Sequence, residues 1–272
     1  MKEKIGIIGF GNMGSSIAQR IKTHYTVSVF DKDKTKTKNL KKIAVEKSIE
    51  DLAGQADAVI LAIKPQDFEV ALAKIKSYAK EKLVISIAAG RTTTYIQKRL
   101  GRARVVRVMP NLPAQIGKGM IYLSKGKFAS KSDLFFVKKI FEFMGRTLII
   151  KEDMMNAATG VSGSGPGFLF ALLEKKPKKE WGQYCNRYFI PQLRKAAVSA
   201  GFSPAQANLS AVTTVKGSLE LLNKSYSLPG VLCSKVASKG GTTEAGLKVL
   251  HKKGLNAAVE AAVKRATELL RS

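Results

Sequence analysis

A glycine motif directly after an apolar run constrains this 272-residue chain more than any other feature. Residues 5–8 are three isoleucines and a glycine, which is typical of a first strand buried on both faces of a parallel sheet. The chain continues as Gly9-Phe-Gly11-Asn12-Met13-Gly14, the G-x-G-x-x-G spacing of dinucleotide-binding turns. The first glycine permits the tight turn, the second lets the backbone approach a pyrophosphate, and the third lets the next helix pack closely. A glycine-rich turn without a ligand is the alternative interpretation.

The residues around the motif favour the dinucleotide. The pattern predicts a helix over 15–22, whose free N–H groups and positive dipole end would face the phosphates. Asp31 ends the next predicted strand, 22 residues after Gly9, and an acidic residue about 20 residues after the motif commonly binds the adenosine ribose. An acid there favours NAD, whereas a basic residue favours the 2′-phosphate of NADP. Because Lys32 and Lys34 follow Asp31, the sequence predicts NADPH or NADH and leaves the preference open. A solvated turn is the alternative interpretation of these lysines.

The first half of the chain has the pattern of an α/β domain. Further apolar runs at 58–63, 83–87 and 105–108 alternate with helical patterns, which predicts βαβ units and a parallel sheet. Two shorter predicted strands, near 120–123 and 147–150, complete this sheet.

Ligands of such sheets bind outside the carboxyl ends of the strands. We therefore assign the small and proline-bounded residues at those ends to the cofactor site, where small side chains suit a flat nicotinamide ring. Ordinary turn chemistry is the alternative reason for their presence. These residues are Ala62, Lys64, Pro65, Ala88, Ala89, Gly90, Met109 and Asn111.

Helical spacing replaces strand patterns from about Glu152 onward. We predict an N-terminal parallel-sheet domain over 1–152 and an all-α C-terminal domain over 153–272, with helices at 181–200, 203–223, 244–251 and 255–271. The last helix carries one apolar stripe, which consists of Ala258, Val259, Ala262, Val263, Ala266, Leu269 and Leu270. Because little sheet remains to cover such stripes, we expect them to be buried against a second copy in a homodimer.

A second glycine-rich turn, Gly240-Gly241-Thr242-Thr243, precedes one of these predicted helices. Free backbone N–H groups, a favourable dipole and two hydroxyls make a helix start of this kind an anion site. A simple N-cap role for Thr242 or Thr243 is the alternative.

Composition narrows the function classes. The net charge is +27, but the lysines are scattered rather than set in one stripe, so a solvated basic surface is favoured over nucleic-acid binding. Two cysteines without C-x-x-C spacing and only two histidines, His24 and His251, predict no metal site and no histidine triad. No apolar run reaches the roughly 18 residues of a membrane span. A strand at the very N-terminus leaves no room for a signal peptide, so we expect a cytoplasmic protein.

Six motifs, taken together and in order, resemble the pyrroline-5-carboxylate reductase family along nearly the whole chain. They are the motif at 9–14, Lys64-Pro65, Ala88-Ala89-Gly90, Arg107-Val-Met-Pro-Asn-Leu-Pro113, Ser162-Gly-Ser-Gly-Pro166 and Ser238-Lys-Gly-Gly-Thr-Thr243.

This resemblance implies an oxidoreductase that passes hydride from NAD(P)H to the C=N carbon of 1-pyrroline-5-carboxylate, giving L-proline in the last step of proline biosynthesis. It implies a Rossmann domain followed by a helical dimerisation domain, with some dimers assembled into larger rings. It also implies that Ser238, Gly240, Gly241, Thr242 and Thr243 hold the substrate carboxylate, and that Thr243 is the catalytic residue that hydrogen-bonds the ring nitrogen.

The chain differs from the family pattern at Lys239, where proline is usual, at Leu112, where threonine is usual, and over 174–194. Two alternatives remain open from the sequence. One is another Rossmann-type imine or 3-hydroxyacid oxidoreductase, although we find no lysine and asparagine one helical turn apart in the second domain. The other is a basic nucleic-acid-binding protein that kept the fold.

Overall fold

The computed structural model describes residues 2–80, 82–252 and 255–268. The chain forms two compact units. The first comprises Met1–Val108 and Leu123–Glu152, and the second comprises Met109–Tyr122 and Asp153–Ser272. Residues 109–122 therefore belong with the helical C-terminal part, although residues 123–152, which belong to the first unit, lie between them in the sequence.

Within the described residues, eight strands form one sheet in the order β3-β2-β1-β4-β5-β6-β7-β8. The strands are β1 (Lys4–Ile8), β2 (Thr26–Phe30), β3 (Ala44–Val45), β4 (Ala58–Leu61), β5 (Leu83–Ser86), β6 (Arg104–Met109), β7 (Gly119–Lys125) and β8 (Gly145–Ile149). The pairs from β3 to β6 are parallel, which confirms the predicted α/β fold. The strand order reverses at β1, because β2 lies on one side of it and β4 on the other.

The central strands are apolar because helices cover the sheet. Ile5, Ile7, Ile60 and Ile85 are completely buried, as expected for parallel strands whose two faces are both covered. The helices of the first unit are α1 (Asn12–Ile21), α2 (Ile49–Gln55), α3 (Phe68–Ile75), α4 (Thr93–Leu100) and α5 (Lys131–Glu142).

The second unit is helical. Its helices are α6 (Met155–Ala158), α7 (Gly165–Leu173), α8 (Trp181–Tyr184), α9 (Ile190–Ser199), α10 (Pro204–Ser225), α11 (Pro229–Val236), α12 (Thr242–Lys252) and α13 (Leu255–Glu268). Helix α10 begins where the sequence predicts, because Ser203 and Gln206 form a capping box and Pro204 occupies the first turn. A π-helical turn at Thr159–Gly163 lies between α6 and α7. A second one, at Cys185–Phe189, separates α8 from α9, where the sequence pattern predicts one continuous helix over 181–200.

The structure corrects one prediction about packing. In helix α13 the described members of the apolar stripe, Val259, Ala262, Val263 and Ala266, are at most 1% exposed in the single chain. They are buried by helices α9 and α12 of the same chain, so the stripe is not the surface that a second copy covers. The side chains of His251, Ala258, Leu269 and Leu270 lie outside the described residues.

Other element boundaries differ from the sequence-based predictions. Strand β3 and helices α2, α4 and α11 were not predicted, because each is a short element with few periodic residues. Helix α12 begins at Thr242 instead of residue 244, which brings both threonines of the turn into the helix. Among the described residues, no helix has the length and apolar character needed to cross a membrane.

Candidate cofactor and substrate sites

The glycine motif borders a cavity of about 380 Å³ in the first unit, at the point where the strand order reverses. This is where open parallel sheets bind their ligands. Six predicted cofactor residues line the cavity: Gly9, Gly11, Asp31, Lys32, Ala62 and Lys64. The turns after β1 and β4 are fixed beside each other, since the N–H of Ala62 donates to the carbonyl of Ile8 over 2.8 Å.

Each of the three glycines of the motif is needed for a different physical reason. Gly9 has φ +97°, and a Cβ there would lie 2.5 Å from the carbonyl oxygen of Ala62. A Cβ at Gly14 would lie 2.0 Å from the carbonyl oxygen of Gly9, so this glycine allows α1 to pack against the turn. Gly11 differs, because its backbone is extended (φ −78°) and, apart from its two chain neighbours, no atom of the described residues lies within 4 Å of its Cβ position. The space beside Gly11 is therefore open to a ligand.

Helix α1 presents an uncapped N-terminus to this space. Its N-cap residue is Gly11, and no side chain caps the first turn, which includes Asn12 and Met13. The first N–H groups of a helix need an external acceptor, and the helix dipole favours an anion. The turn thus fits the pyrophosphate of a dinucleotide.

Asp31 uses its carboxylate to hold the glycine turn. Its Oδ2 accepts the N–H of Phe10 over 2.7 Å and its Oδ1 accepts the N–H of Asp33 over 2.8 Å. The side chain is only 8% exposed, and Lys36 Nζ lies 3.7 Å from Oδ1. Asp31 therefore has a structural task besides any contact with a ribose.

Lysines surround the same cavity. Lys32 Nζ lies 2.7 Å from Asp67 Oδ1, a hydrogen bond that raises the pKa of Lys32. Lys36 and Lys74 also line the cavity, although neither is among the residues predicted from the sequence. Lys36 could have been suspected from the lysine run that follows Asp31, whereas Lys74 reaches the cavity only through the placement of α3.

The remaining predicted cofactor residues do not line this cavity. Ala88, Ala89 and Gly90 follow β5 at its carboxyl end, and Asn12, Met13 and Gly14 begin α1. The carbonyl of Pro65 accepts a hydrogen bond from Arg91 Nη2 over 3.3 Å, which ties the turn after β4 to the turn after β5.

Met109 and Asn111 fall in the second unit. Asn111 is 3% exposed. Its Oδ1 accepts the N–H of Met120 over 3.0 Å and its Nδ2 donates to Ser162 Oγ over 3.0 Å. Ser162 Oγ also accepts a hydrogen bond from Thr214 Oγ1 over 2.9 Å. The Asn111 amide is thus occupied within this unit.

The glycine-threonine turn of the second unit borders a smaller cavity of about 310 Å³. Gly240 and Gly241 line it, and it carries the basic side chains of Lys248 and Arg265. Gly240 has φ +71°, a conformation that favours glycine. The N–H of Gly241 donates to the carbonyl of Ser238 over 2.9 Å, which closes the turn before α12.

A carboxylate already occupies one amide of this turn. The N–H of Gly240 donates to Glu244 Oε2 over 2.5 Å. This bond, followed by the contact with Lys248, lowers the pKa of Glu244. The turn therefore has the geometry to bind a carboxylate at a backbone N–H group.

Thr243 lies just inside α12 and is 3% exposed. Its Oγ1 donates to Ser164 Oγ over 3.0 Å, and Ser164 Oγ lies 3.2 Å from Thr242 Oγ1. Gly167 leaves room for this contact, because a Cβ there would lie 2.6 Å from Thr243 Cγ2. Since α12 begins at Thr242, neither threonine is the N-cap. In the sequence, Ser164 stands out only as part of a family motif, and no local pattern indicates its partners.

Among the described residues, no group of three or more His, Cys, Asp or Glu side chains could hold a metal ion. Both cysteines, Cys185 and Cys233, are free thiols, and burial raises their pKa values. Neither has the lowered pKa of a reactive cysteine.

Comparisons with known proteins agree with this geometry. Residues 186–272 match the family model described as pyrroline-5-carboxylate reductase dimerisation, and residues 4–90 match the model described as NADP oxidoreductase coenzyme F420-dependent. The pyrroline-5-carboxylate reductase of Synechocystis is 33% identical over 98% of this chain and 96% of its own length. That of Arabidopsis thaliana is 34% identical over 99% of this chain and 96% of its own length.

Solved structures are similar over the same span. The Plasmodium falciparum pyrroline carboxylate reductase with NADP bound is 29% identical, with a TM-score of 0.64, and the match covers 99% of this chain and 97% of that one. A Coxiella burnetii pyrroline-5-carboxylate reductase is 28% identical, with a TM-score of 0.65, and the match covers 99% of both chains. The full-length identities above 30%, together with the two sites, show that this chain belongs to the pyrroline-5-carboxylate reductase family.

Proposed function

We propose that the chain carries out its family's reaction, hydride transfer from NAD(P)H to the C=N carbon of 1-pyrroline-5-carboxylate to give L-proline, with the residue roles that follow. The chain is an NAD(P)-dependent oxidoreductase acting on a CH–NH group. The observation that carries the assignment of roles is the turn before α12, where the Gly240 N–H already holds a carboxylate. A cyclic imino acid presents the same group.

The cofactor roles belong to the first unit. The uncapped start of α1 at Gly11, Asn12 and Met13 binds the pyrophosphate, and Gly9 and Gly14 let the turn approach it. When bound, the reduced nicotinamide supplies the hydride. The residues after β4 and β5 border the ring; they are Ala62, Lys64, Pro65, Ala88, Ala89 and Gly90.

The charge around Asp31 supports a preference for NADPH over NADH. Both carboxylate oxygens of Asp31 already accept backbone N–H groups, which leaves less capacity for a ribose hydroxyl. Lys32, Lys36 and Lys74 line the same cavity. Positive charge beside the ribose site attracts the 2′-phosphate that only NADPH carries.

The substrate roles belong to the second unit. The N–H of Gly240 and the hydroxyls of Ser238 and Thr242 hold the carboxylate, and Glu244 leaves the Gly240 N–H as the substrate arrives. Gly241 shapes this site, because its N–H closes the turn onto the Ser238 carbonyl. Thr243 hydrogen-bonds the ring nitrogen. Catalysis then consists mainly of orienting the hydride donor and acceptor, because no metal or additional acid is needed for a protonated imine.

The assembly is a homodimer formed through the second unit. We further propose that these dimers assemble into a larger ring. The match to a dimerisation domain over 186–272 supports the dimer. Exposed apolar side chains just before and within α11 offer the surface, since Tyr226 is 93%, Leu228 72% and Val231 49% exposed. We also propose division into a cofactor domain over 1–152 and a substrate domain over 153–272, and a cytoplasmic location, in keeping with two free thiols.

The test is an assay of NADPH and NADH oxidation with 1-pyrroline-5-carboxylate, with L-proline identified as the product. We expect turnover with the imine and a lower KM for NADPH than for NADH. Turnover with keto acids or 3-hydroxyacids but not with the imine would refute the function. Light scattering on the same sample measures the mass, where a dimer or a multiple of it is expected.

A further inference from the structure

The hydroxyl of Ser164 lies where a helix cap is expected, but it does not cap its helix. Ser164 is the N-cap residue of α7, and its side chain makes no capping hydrogen bond. A serine at this position usually accepts an N–H from the first turn. Here Ser164 is completely buried and its Oγ faces Thr242 and Thr243, which are more than seventy residues further along the chain.

The direction of the hydrogen bonds follows from proton counting. Thr243 donates its hydroxyl proton to Ser164 Oγ. If Thr242 also donated to Ser164, the Ser164 proton would be left buried without an acceptor, which is costly. The satisfied arrangement is therefore a chain in which Thr243 donates to Ser164 and Ser164 donates to Thr242.

We infer that Ser164 is a positioning residue that makes the Thr243 hydroxyl an acceptor and thereby selects the protonated form of the imine substrate. With its own proton committed to Ser164, Thr243 Oγ1 can offer only lone pairs. A protonated imine carries an N–H donor at the ring nitrogen, whereas a neutral imine nitrogen is itself an acceptor and would face a lone pair. This inference rests on the proposed contact between Thr243 and the ring nitrogen.

The selected form is also the reactive one. In the protonated imine the incoming hydride forms the new C–H bond, and the C=N π electrons move to the positively charged nitrogen. The nitrogen keeps its proton and becomes a neutral secondary amine, so charge and electrons balance without a proton from the protein. An acceptor at Thr243 therefore suits a reaction that needs no side chain acting as an acid.

The test uses two inhibitors that differ only at the ring atom, namely tetrahydrofuran-2-carboxylate and cyclopentanecarboxylate. The ether oxygen is an acceptor and the ring CH₂ group is neutral, so an acceptor at Thr243 disfavours the ether. We expect wild-type protein to bind the cyclopentane acid about three- to tenfold more tightly, the range of one hydrogen bond. In Ser164→Ala the Thr243 proton is released, and the ratio should become equal or reverse. A wild-type preference for the ether, or an unchanged ratio in the variant, would overturn the inference.

Ser218→Ala is the matched control. Ser218 is also completely buried in the second unit, but its hydroxyl donates to the carbonyl of Thr214 in its own helix. We expect this variant to keep the wild-type inhibitor ratio, and a change in that ratio equal to that of Ser164→Ala would overturn the inference. If Ser164→Ala does not fold, the wild-type ratio still decides, and Ser164→Cys provides a conservative replacement with a weak acceptor.

The outcome is separable from the proposed function. If wild-type protein does not reduce the imine, the proposed function itself fails. If Thr243→Ala loses turnover while Ser164→Ala keeps both turnover and inhibitor ratio, the role of Thr243 stands and only the present inference falls. We expect Ser164→Ala to lower kcat/KM for the imine by about tenfold, the effect of losing one charge-assisted hydrogen bond. The KM for NADPH should not change.

Discussion

Substitution of Gly11 should separate cofactor binding from folding. The position is extended, with φ −78° and ψ −166°, and beyond the adjacent residues no atom in the described part of the chain lies within 4 Å of a Cβ placed there. The Cβ of Gly11→Val therefore meets no clash, and the substitution needs no strained backbone conformation. Two methyl groups would instead project into the space that the proposed pyrophosphate fills.

The expected magnitude follows from the hydrogen bonds between the pyrophosphate and the start of α1. Displacing the pyrophosphate removes two or more of these charge-assisted hydrogen bonds, each about 1.5–3 kcal/mol. A loss of about 3–6 kcal/mol corresponds to about 10²- to 10⁴-fold weaker binding. The free energy of unfolding should stay within about 1 kcal/mol of wild type, because a glycine replacement at a compatible position has small effects.

Isothermal titration with NADPH and a thermal melt without cofactor measure the two quantities. Gly182→Val is the matched control, since its Cβ position is also open and it lines neither cavity. Gly14→Ala is the contrasting variant, because its Cβ would lie 2.0 Å from the Gly9 carbonyl oxygen; it should cost about 1–3 kcal/mol of stability. Normal NADPH affinity in Gly11→Val, or a large loss of stability in it, would refute this reasoning.

Three further predictions concern single side chains. Thr243→Ala should lower kcat for the imine by about 10- to 100-fold, the range of one or two hydrogen bonds, with unchanged NADPH affinity; unchanged kinetics would show that Thr243 is only structural. Lys36→Gln should raise the KM for NADPH by about tenfold, because one ion pair with the 2′-phosphate is removed, and the KM for NADH should not change. Lys34→Gln is the control, since Lys34 lies in the same short helix but does not line the cavity; it should change neither KM. The lowered pKa of Glu244 means that its contribution to stability is present above its unfolded pKa and is lost as pH falls through the folded pKa. Denaturant titrations across the acid range should show a smaller loss in Glu244→Gln, and identical curves would count against the Gly240 contact.

The sequence by itself determined the elements whose signals are local. The apolar runs of the central strands, the glycine motif and the start of the helix at Ser203 each depend on residues a few positions apart. Periodicity and turn chemistry are therefore enough to find them. The short elements β3, α2, α4 and α11 were missed, although Ser48 and Thr92 cap α2 and α4, because elements of at most eight residues show too little periodicity.

Only the tertiary structure decided which distant side chains meet. Lys36 and Lys74 reach one cavity from different elements, and Ser164 meets Thr243 across more than seventy residues. It also showed that the stripe on α13 is covered by its own chain, where the pattern alone suggested a second copy. A periodic pattern indicates that a helix face is buried but not which element covers it, because the hydrophobic effect depends on apolar area and has no direction. Hydrogen bonds between distant side chains depend on the direction of single atoms, which only the folded chain defines.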